Sequence, residues 1–268
     1  CRSYISALVG LYMERKIGTK FLFDMRGFWA DERVDGQIWN IKSIPFKIIY
    51  DFFKNKERSF LLEADNVISL TYNGKNEIRS WDYMKGIKDN INVIPCCADL
   101  DHFDFQKNPY NVNYKLDLGI HKDTFVLCYL GSIGTWYMQN EMLAYFKVQL
   151  NSIPNSVFLW ITKDNPSLIL KEAEKLGFAE KIIVKPSERS ELPMLLSICD
   201  ASIFFIKPLF SKKASSPTKQ AELLGMGIPI ICNSNVGDTK EILEKENVGL
   251  VTTDFTQSSY QNIVNELP

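Results

Sequence analysis

Histidine is scarce in this sequence: His102 and His121 are the only two, and they stand apart. Ser–His nucleophilic catalysis therefore has little support, and both read as structural or solvent-exposed. The six cysteines are Cys1, Cys96, Cys97, Cys128, Cys199 and Cys232, and none stands in a C-x-x-C spacing. No Cys/His zinc site is expected from such a set. Cys128 and Cys232 lie in apolar runs and read as small buried hydrophobes, while scattered free thiols point to a reducing, cytoplasmic setting. The formal net charge is only −1, which gives no whole-protein reason to expect nucleic acid. No apolar run approaches the roughly 20 residues that a bilayer span needs. The opening Cys1-Arg2-Ser3-Tyr4 lacks the basic region and long apolar core of a signal peptide. G-x-G-x-x-G, G-x-x-x-x-G-K-[ST] and G-x-S-x-G are all missing, which disfavours a dinucleotide fingerprint, a P-loop NTPase and an α/β-hydrolase.

What is present is a regular alternation. The 268 residues leave room for two ordinary domains, and 46% hydrophobic content is that of a globular protein. In the first half, buried strands are expected over 20–25, 66–70 and 91–95, with helices over 4–15, 44–62 and 73–84. The second half repeats the scheme, with strands over 124–130, 157–161, 181–184, 201–206 and 248–251 and one more at Ile230-Ile231. Helices over 141–150, 167–176, 192–198, 238–246 and 258–267 alternate with them. Alternating strands and helices imply right-handed βαβ units and parallel sheets. The expected fold is α/β, two Rossmann-like doubly wound domains facing a crevice. Residues 1–104 form the first domain, 105–122 a polar linker and 123–268 the second domain. The first half offers few strands, begins on a helix and has no initiator Met, so its domain is expected to be incomplete.

Three stretches stand out. Arg26 to Gly36 is a charged loop after a strand, placed where open α/β sheets put ligands; a salt-bridged structural loop is the plainer reading. The helix over 44–62 is basic and aromatic, and it reads first as core-facing with a solvated basic side. Its second reading is contact with anionic lipid. The third stretch, Ser215 to Ile231, reads as loop, helix and buried strand. Ser216 suits an N-cap, Pro217 the first helical position, and Gly227 the left-handed residue beyond the helix. Such a helix start offers free backbone N–H groups and a positive dipole end, an anion site. Lys219 lies in its first turn, with Glu222 three residues on; a surface Lys219–Glu222 pair is the plainer reading.

The other loops at strand ends are Gly131-Ser132, Thr162-Lys163-Asp164 and Lys185 to Arg189. With Ser215 to Lys219 they should open toward one crevice. Hydroxyls, amides and the lysines Lys163, Lys185 and Lys219 suit a nucleoside diphosphate held without a dedicated metal. Glu222 could accept both hydroxyls of a ribose diol.

Four stretches carry a family likeness: Phe23 to Arg33, Asn92 to Asp99, Tyr129 to Ser132, and Ser216 through Glu222 to Ile231. On these the chain resembles the retaining family-four glycosyltransferases of two-domain GT-B architecture, over nearly its whole length. The resemblance implies a sugar nucleotide bound on the second domain and an acceptor mainly on the first. It implies that Gly131 and the loop Ser215, Ser216, Thr218 hold the diphosphate, and that Glu222 holds the ribose. Ala214 stands eight residues before Glu222, where the family often has a second glutamate. Ser132 stands where an arginine is common, and Ile133 to Gln139 contains no lysine. Lys219, with Lys212 or Lys213, would have to supply the missing charge.

The expected activity is transfer of a sugar from a nucleotide diphosphate to a glycan or lipid-linked acceptor, in bacterial surface-polysaccharide synthesis. Lys219, Asp24 and Arg26 are the catalytic candidates; no metal and no cofactor beyond the co-substrate are expected. The expected location is cytoplasmic, with peripheral contact at the inner membrane face. A sugar-nucleotide 2-epimerase and a non-catalytic nucleotide-binding fragment are the alternatives.

Overall fold

A computed structural model describes residues 1–267; Pro268, the end of the expected second domain, lies outside the described residues. The chain divides into two compact units.

The first unit comprises residues 1–96, 208–216 and 235–238. Its elements are α1 (Ser3–Ile17), β1 (Leu22–Asp24), α2 (Trp29–Asp35), α3 (Ile44–Glu63), β2 (Asn66–Ser69), α4 (Tyr72–Ser80) and β3 (Ile91–Val93). The strands form a three-stranded parallel sheet in the order β1-β2-β3. Its core is aromatic: Phe23 and Phe60 pack with ring centroids 5.1 Å apart, and Tyr4 meets Phe23 edge-on at 5.7 Å. Such rings supply most of the apolar area a small unit can bury.

Inside this core lies a charged knot. Lys54 Nζ donates to Asp31 Oδ2 at 2.9 Å and to Glu57, while Tyr50 donates to Asp31 Oδ1 at 2.8 Å and Tyr4 to Glu57. Glu57 is fully buried, and that burial pushes its carboxyl up despite the lysine. The knot explains a difference from the sequence. Residues 29–35, expected as irregular loop, are the helix α2, because Asp31 is drawn into partners on α3. The expected helix over 73–84 breaks at Trp81, whose ψ of 137° leads into a 3-10 turn at Asp82–Met84. In α3 the second half is core-facing through Phe53, Phe60 and Leu61, while Ile44 and Ile48 are 75% and 63% exposed.

Two segments from late in the sequence complete this unit. Phe210 stacks on Phe28 at 5.3 Å, Lys212 pairs with Glu32 at 2.7 Å, and Thr71 Oγ1 donates to Lys213 O at 2.7 Å. The Asp238 carboxylate, expected at the start of the following helix, accepts from Tyr72 N and Asn73 N at 2.6 and 2.9 Å, at the first turn of α4.

The second unit holds residues 97–207, 217–234 and 239–268. It contains α5 (Val112–Asp117), β4 (Phe125–Leu130), α6 (Gln139–Ser152), β5 (Ser156–Ile161), α7 (Ser167–Leu176), β6 (Ile182–Lys185) and α8 (Leu192–Leu196). It continues with β7 (Ala201–Phe204), α9 (Thr218–Gly225), β8 (Ile230–Asn233), α10 (Thr239–Glu246), β9 (Gly249–Thr252) and α11 (Gln257–Asn265). The six strands pair in parallel in the order β6-β5-β4-β7-β8-β9. Val126, Leu127, Cys128 and Tyr129 of the central β4 are fully buried, as expected of a parallel strand covered on both faces. The order reverses direction beside β4, between β4 and β7, and ligands of open parallel sheets bind at the carboxyl ends of strands at such a point. Gly227 takes φ +70° after α9 as its place in the sequence requires. The polar stretch over 105–122 is not all linker, since α5 lies within it, opened by the Asn111 side chain accepting from Tyr114 N.

Candidate functional site

At the end of β4 the chain turns through Gly131, whose φ of +140° only glycine adopts without strain. Gly131 N donates to Ile161 O at 3.1 Å, and Tyr129 Oη donates to Ser132 O at 2.6 Å, so the turn is tied to β5 and to its own strand. Asp164 accepts from Ile133 N. Together the loops after β4, β5 and β6 line a cavity of about 240 Å³ with Gly131, Ser132, Thr162, Lys163, Asp164 and Ser187.

The helix α9 begins at Thr218 after Pro217, which has extended backbone and acts as N-cap. This corrects the expectation for Ser216. Its hydroxyl accepts from Cys96 N at 3.1 Å in the first unit, and α9 starts without a side-chain cap. The leading N–H groups of a helix have no intrahelical acceptor, so α9 keeps an uncapped, positive end.

Lys219 follows in the first turn. Its side chain is buried, and among the described residues Nζ has no hydrogen-bond partner. Instead it lies 3.9 Å from the ring centroid of Tyr137 and 4.6 Å from that of Tyr129. A Cβ on residue 131 would stand 2.5 Å from Nζ, so the glycine is also what makes room for the amine. Burial lowers the amine's pKa to about 7, with the charge of Glu222 opposing the shift.

Glu222 is likewise buried, but it does not form a surface pair with Lys219 as the sequence allowed. Its Oε1 accepts from Arg189 Nη1 at 2.8 Å, and the Arg189 guanidinium covers the Phe103 ring at 5.0 Å. His102 Nε2 lies 2.8 Å from Arg189 O, which gives that histidine a structural place. Gly131 and Lys219 are thus brought together, with Ser132 and Lys163 in the adjoining cavity. Lys163 pairs with Glu188 at 2.6 Å on the surface, and Lys185 and Thr218 are exposed.

Ser215 and Ser216 are half-buried in the first unit. In the same unit Arg26 is exposed and held at φ +61°, an uncommon conformation for a residue with a side chain. Asp24 Oδ2 lies 3.9 Å from Arg2 Nε, and its Oδ1 is buried without a hydrogen-bond partner among the described residues. Sequence reasoning missed Tyr129 and Tyr137 as parts of the site and gave no role to Asp164, which stands in a loop expected at the crevice. Arg189 stood in a loop already singled out, but nothing in its spacing tied it to Glu222. Among the described residues no cluster of His, Cys, Asp and Glu is arranged to hold a metal ion, and no helix is long and apolar enough to cross a membrane.

Two parallel Rossmann-like units with these connections have the fold of the GT-B glycosyltransferases. The chain is similar to the sucrose-phosphate synthase of Thermosynechococcus elongatus, at a TM-score of 0.73 and 14% identity over 98% of this chain and 62% of that one. It is also similar to WaaG, a glycosyltransferase involved in lipopolysaccharide biosynthesis, at a TM-score of 0.69 and 15% identity over 98% of this chain and 72% of the other. HepE of Anabaena, solved in complex with UDP-glucose, matches at a TM-score of 0.68 and 14% identity, covering 98% of this chain and 66% of its own. The chain therefore spans about six- to seven-tenths of the length of these structures. No family model and no curated protein sequence matches it.

Proposed function

We propose that this protein is a glycosyltransferase that takes a sugar from a nucleoside-diphosphate sugar. The observation that carries the reading is the buried Lys219 amine, without a hydrogen-bond partner among the described residues, beside the Gly131 turn and in the first turn of an uncapped helix. Burying a cation without an acceptor is costly, and the cost is met when an anion arrives. In this reading the Gly131 turn, Thr218 and Lys219 take the diphosphate, with Ser132 adding its amide and hydroxyl. The uridine-type sugar nucleotide seen with HepE has the matching chemistry.

When the bond between the anomeric carbon and the diphosphate oxygen breaks, the electron pair leaves with the diphosphate and negative charge builds there. The helix end, backbone amides and Lys219 favour that charge in a water-poor site, and this difference lowers the barrier. Glu222, oriented by Arg189, accepts from the ribose diol. Lys163 and Lys185 supply positive charge at the rim of the cavity, and Asp24 and Arg26 serve the acceptor. No metal is required, and the retaining outcome belongs to the family-four resemblance. The acceptor we propose is a bacterial glycan or lipid-linked saccharide, in keeping with WaaG's part in lipopolysaccharide biosynthesis. The exposed Ile44 and Ile48 beside Lys47 on α3 favour peripheral contact with the cytoplasmic membrane face.

Calorimetric titration with UDP, GDP and ADP, followed by a donor screen that reads released nucleotide, tests the reading. Lys219→Ala should weaken diphosphate binding by about 10- to 100-fold, the loss of a charge-assisted contact. If Lys219→Ala and Glu222→Ala both leave affinity and sugar transfer unchanged, the assignment is wrong. Donor turnover without any acceptor would favour an epimerase.

A further inference from the structure

We propose that Tyr129 and Tyr137 form an aromatic cage that holds the Lys219 amine at the Gly131 turn with its N–H groups free, which makes Tyr137 a positioning residue for the diphosphate. The proposal rests on the nucleotide-binding reading above and names the device that keeps its buried cation available.

Two ring centroids lie 3.9 and 4.6 Å from Nζ, and the rings meet edge to face at 5.7 Å and 71°. Aromatic faces attract an ammonium through their quadrupole. Unlike a carboxylate, they hold the cation without accepting its N–H groups or cancelling its charge. An incoming phosphate therefore has no ion pair to break. Both rings are built in. Tyr129 is a buried residue of β4, and its hydroxyl is engaged by Ser132 O. The backbone around Tyr137 is pinned to the chain after β7: Met138 N donates to Phe205 O and Lys207 N to Trp136 O, both at 2.9 Å. Tyr137 falls within the lysine-free stretch Ile133 to Gln139, where a ring now steadies the buried Lys219 amine. Because burial already draws that amine down to about 7, a bound diphosphate should pull a proton into the cage.

The test is titration of UDP at about pH 8.5 in two buffers of different ionisation enthalpy, where the diphosphate is fully ionised. The wild-type protein should take up about one proton per UDP bound. Tyr137→Leu opens the cage to water and lets the amine titrate nearer its ordinary range. Its UDP affinity should fall about tenfold, and the proton uptake should disappear. Tyr137→Phe, which keeps the ring, should retain both. If Tyr137→Leu loses its cooperative thermal transition, Tyr137→Gln carries the same expectation.

Unchanged affinity and unchanged proton uptake in the ring-free variants, with binding still dependent on Lys219, would overturn the cage and leave the nucleotide reading standing. No proton uptake by the wild type would also overturn it. Failure of UDP, GDP and ADP to bind the wild type would overturn both.

Discussion

Replacing Lys219 with methionine should stabilise the ligand-free protein while impairing its site, and the gain should depend on pH. The lysine's ordinary value is 10.5 and its value here is about 7, because burial penalises the ammonium. At about 1.4 kcal/mol per unit, the penalty on the charged form is about 5 kcal/mol. The sign follows from proton counting. Between about pH 7 and 10.5 the unfolded chain binds the proton and the folded protein does not, so this residue makes stability rise with pH in that window. Below about pH 7 both states are protonated and the whole penalty applies. Methionine keeps most of the volume and removes the charge. Urea denaturation should therefore show Lys219→Met ahead by about 5 kcal/mol near pH 6, with the margin shrinking by more than half near pH 9. A variant no more stable than wild type, or a margin that does not change over that range, would refute the reasoning.

Two further outcomes follow from the geometry. Gly131→Ala places a methyl 2.5 Å from Lys219 Nζ on backbone at φ +140°. It should cost about 1–3 kcal/mol in urea denaturation and, by driving the amine from its rings, weaken UDP by at least about tenfold in calorimetry. Asp238→Ala removes the carboxylate that accepts two backbone N–H groups of α4. It should lower Tm by about 2–4 °C in a thermal scan, and an unchanged Tm would show that those amides find other partners.

The strands were legible because each is a short apolar run closed by glycine, proline or charge. The helix α2 was not, since Asp31 and Glu32 beside glycines look like loop until Lys54 and Tyr50 supply partners. Ser216 misled for the same reason. A hydroxyl before a Pro-led helix reads as its cap, yet a backbone amide 120 residues earlier in sequence claims it. Lys219 and Glu222 were found by their place on a helix start. Their surroundings were not, because Tyr129, Tyr137 and Arg189 reach them through the order of strands in the sheet, which no local spacing encodes.

The first compact unit has a consequence for how the chain is made. Residues 1–96 emerge from the ribosome without residues 208–216 and 235–238, so Phe28 waits for Phe210, and the first turn of α4 waits for Asp238. At roughly 5–20 residues per second, the interval to Asp238 is on the order of 10–30 s. Throughout that time the first unit is a partly closed nascent domain with its aromatic surface uncovered. A synonymous codon change that slows translation between residues 97 and 238 would lengthen that exposure without altering a single amino acid.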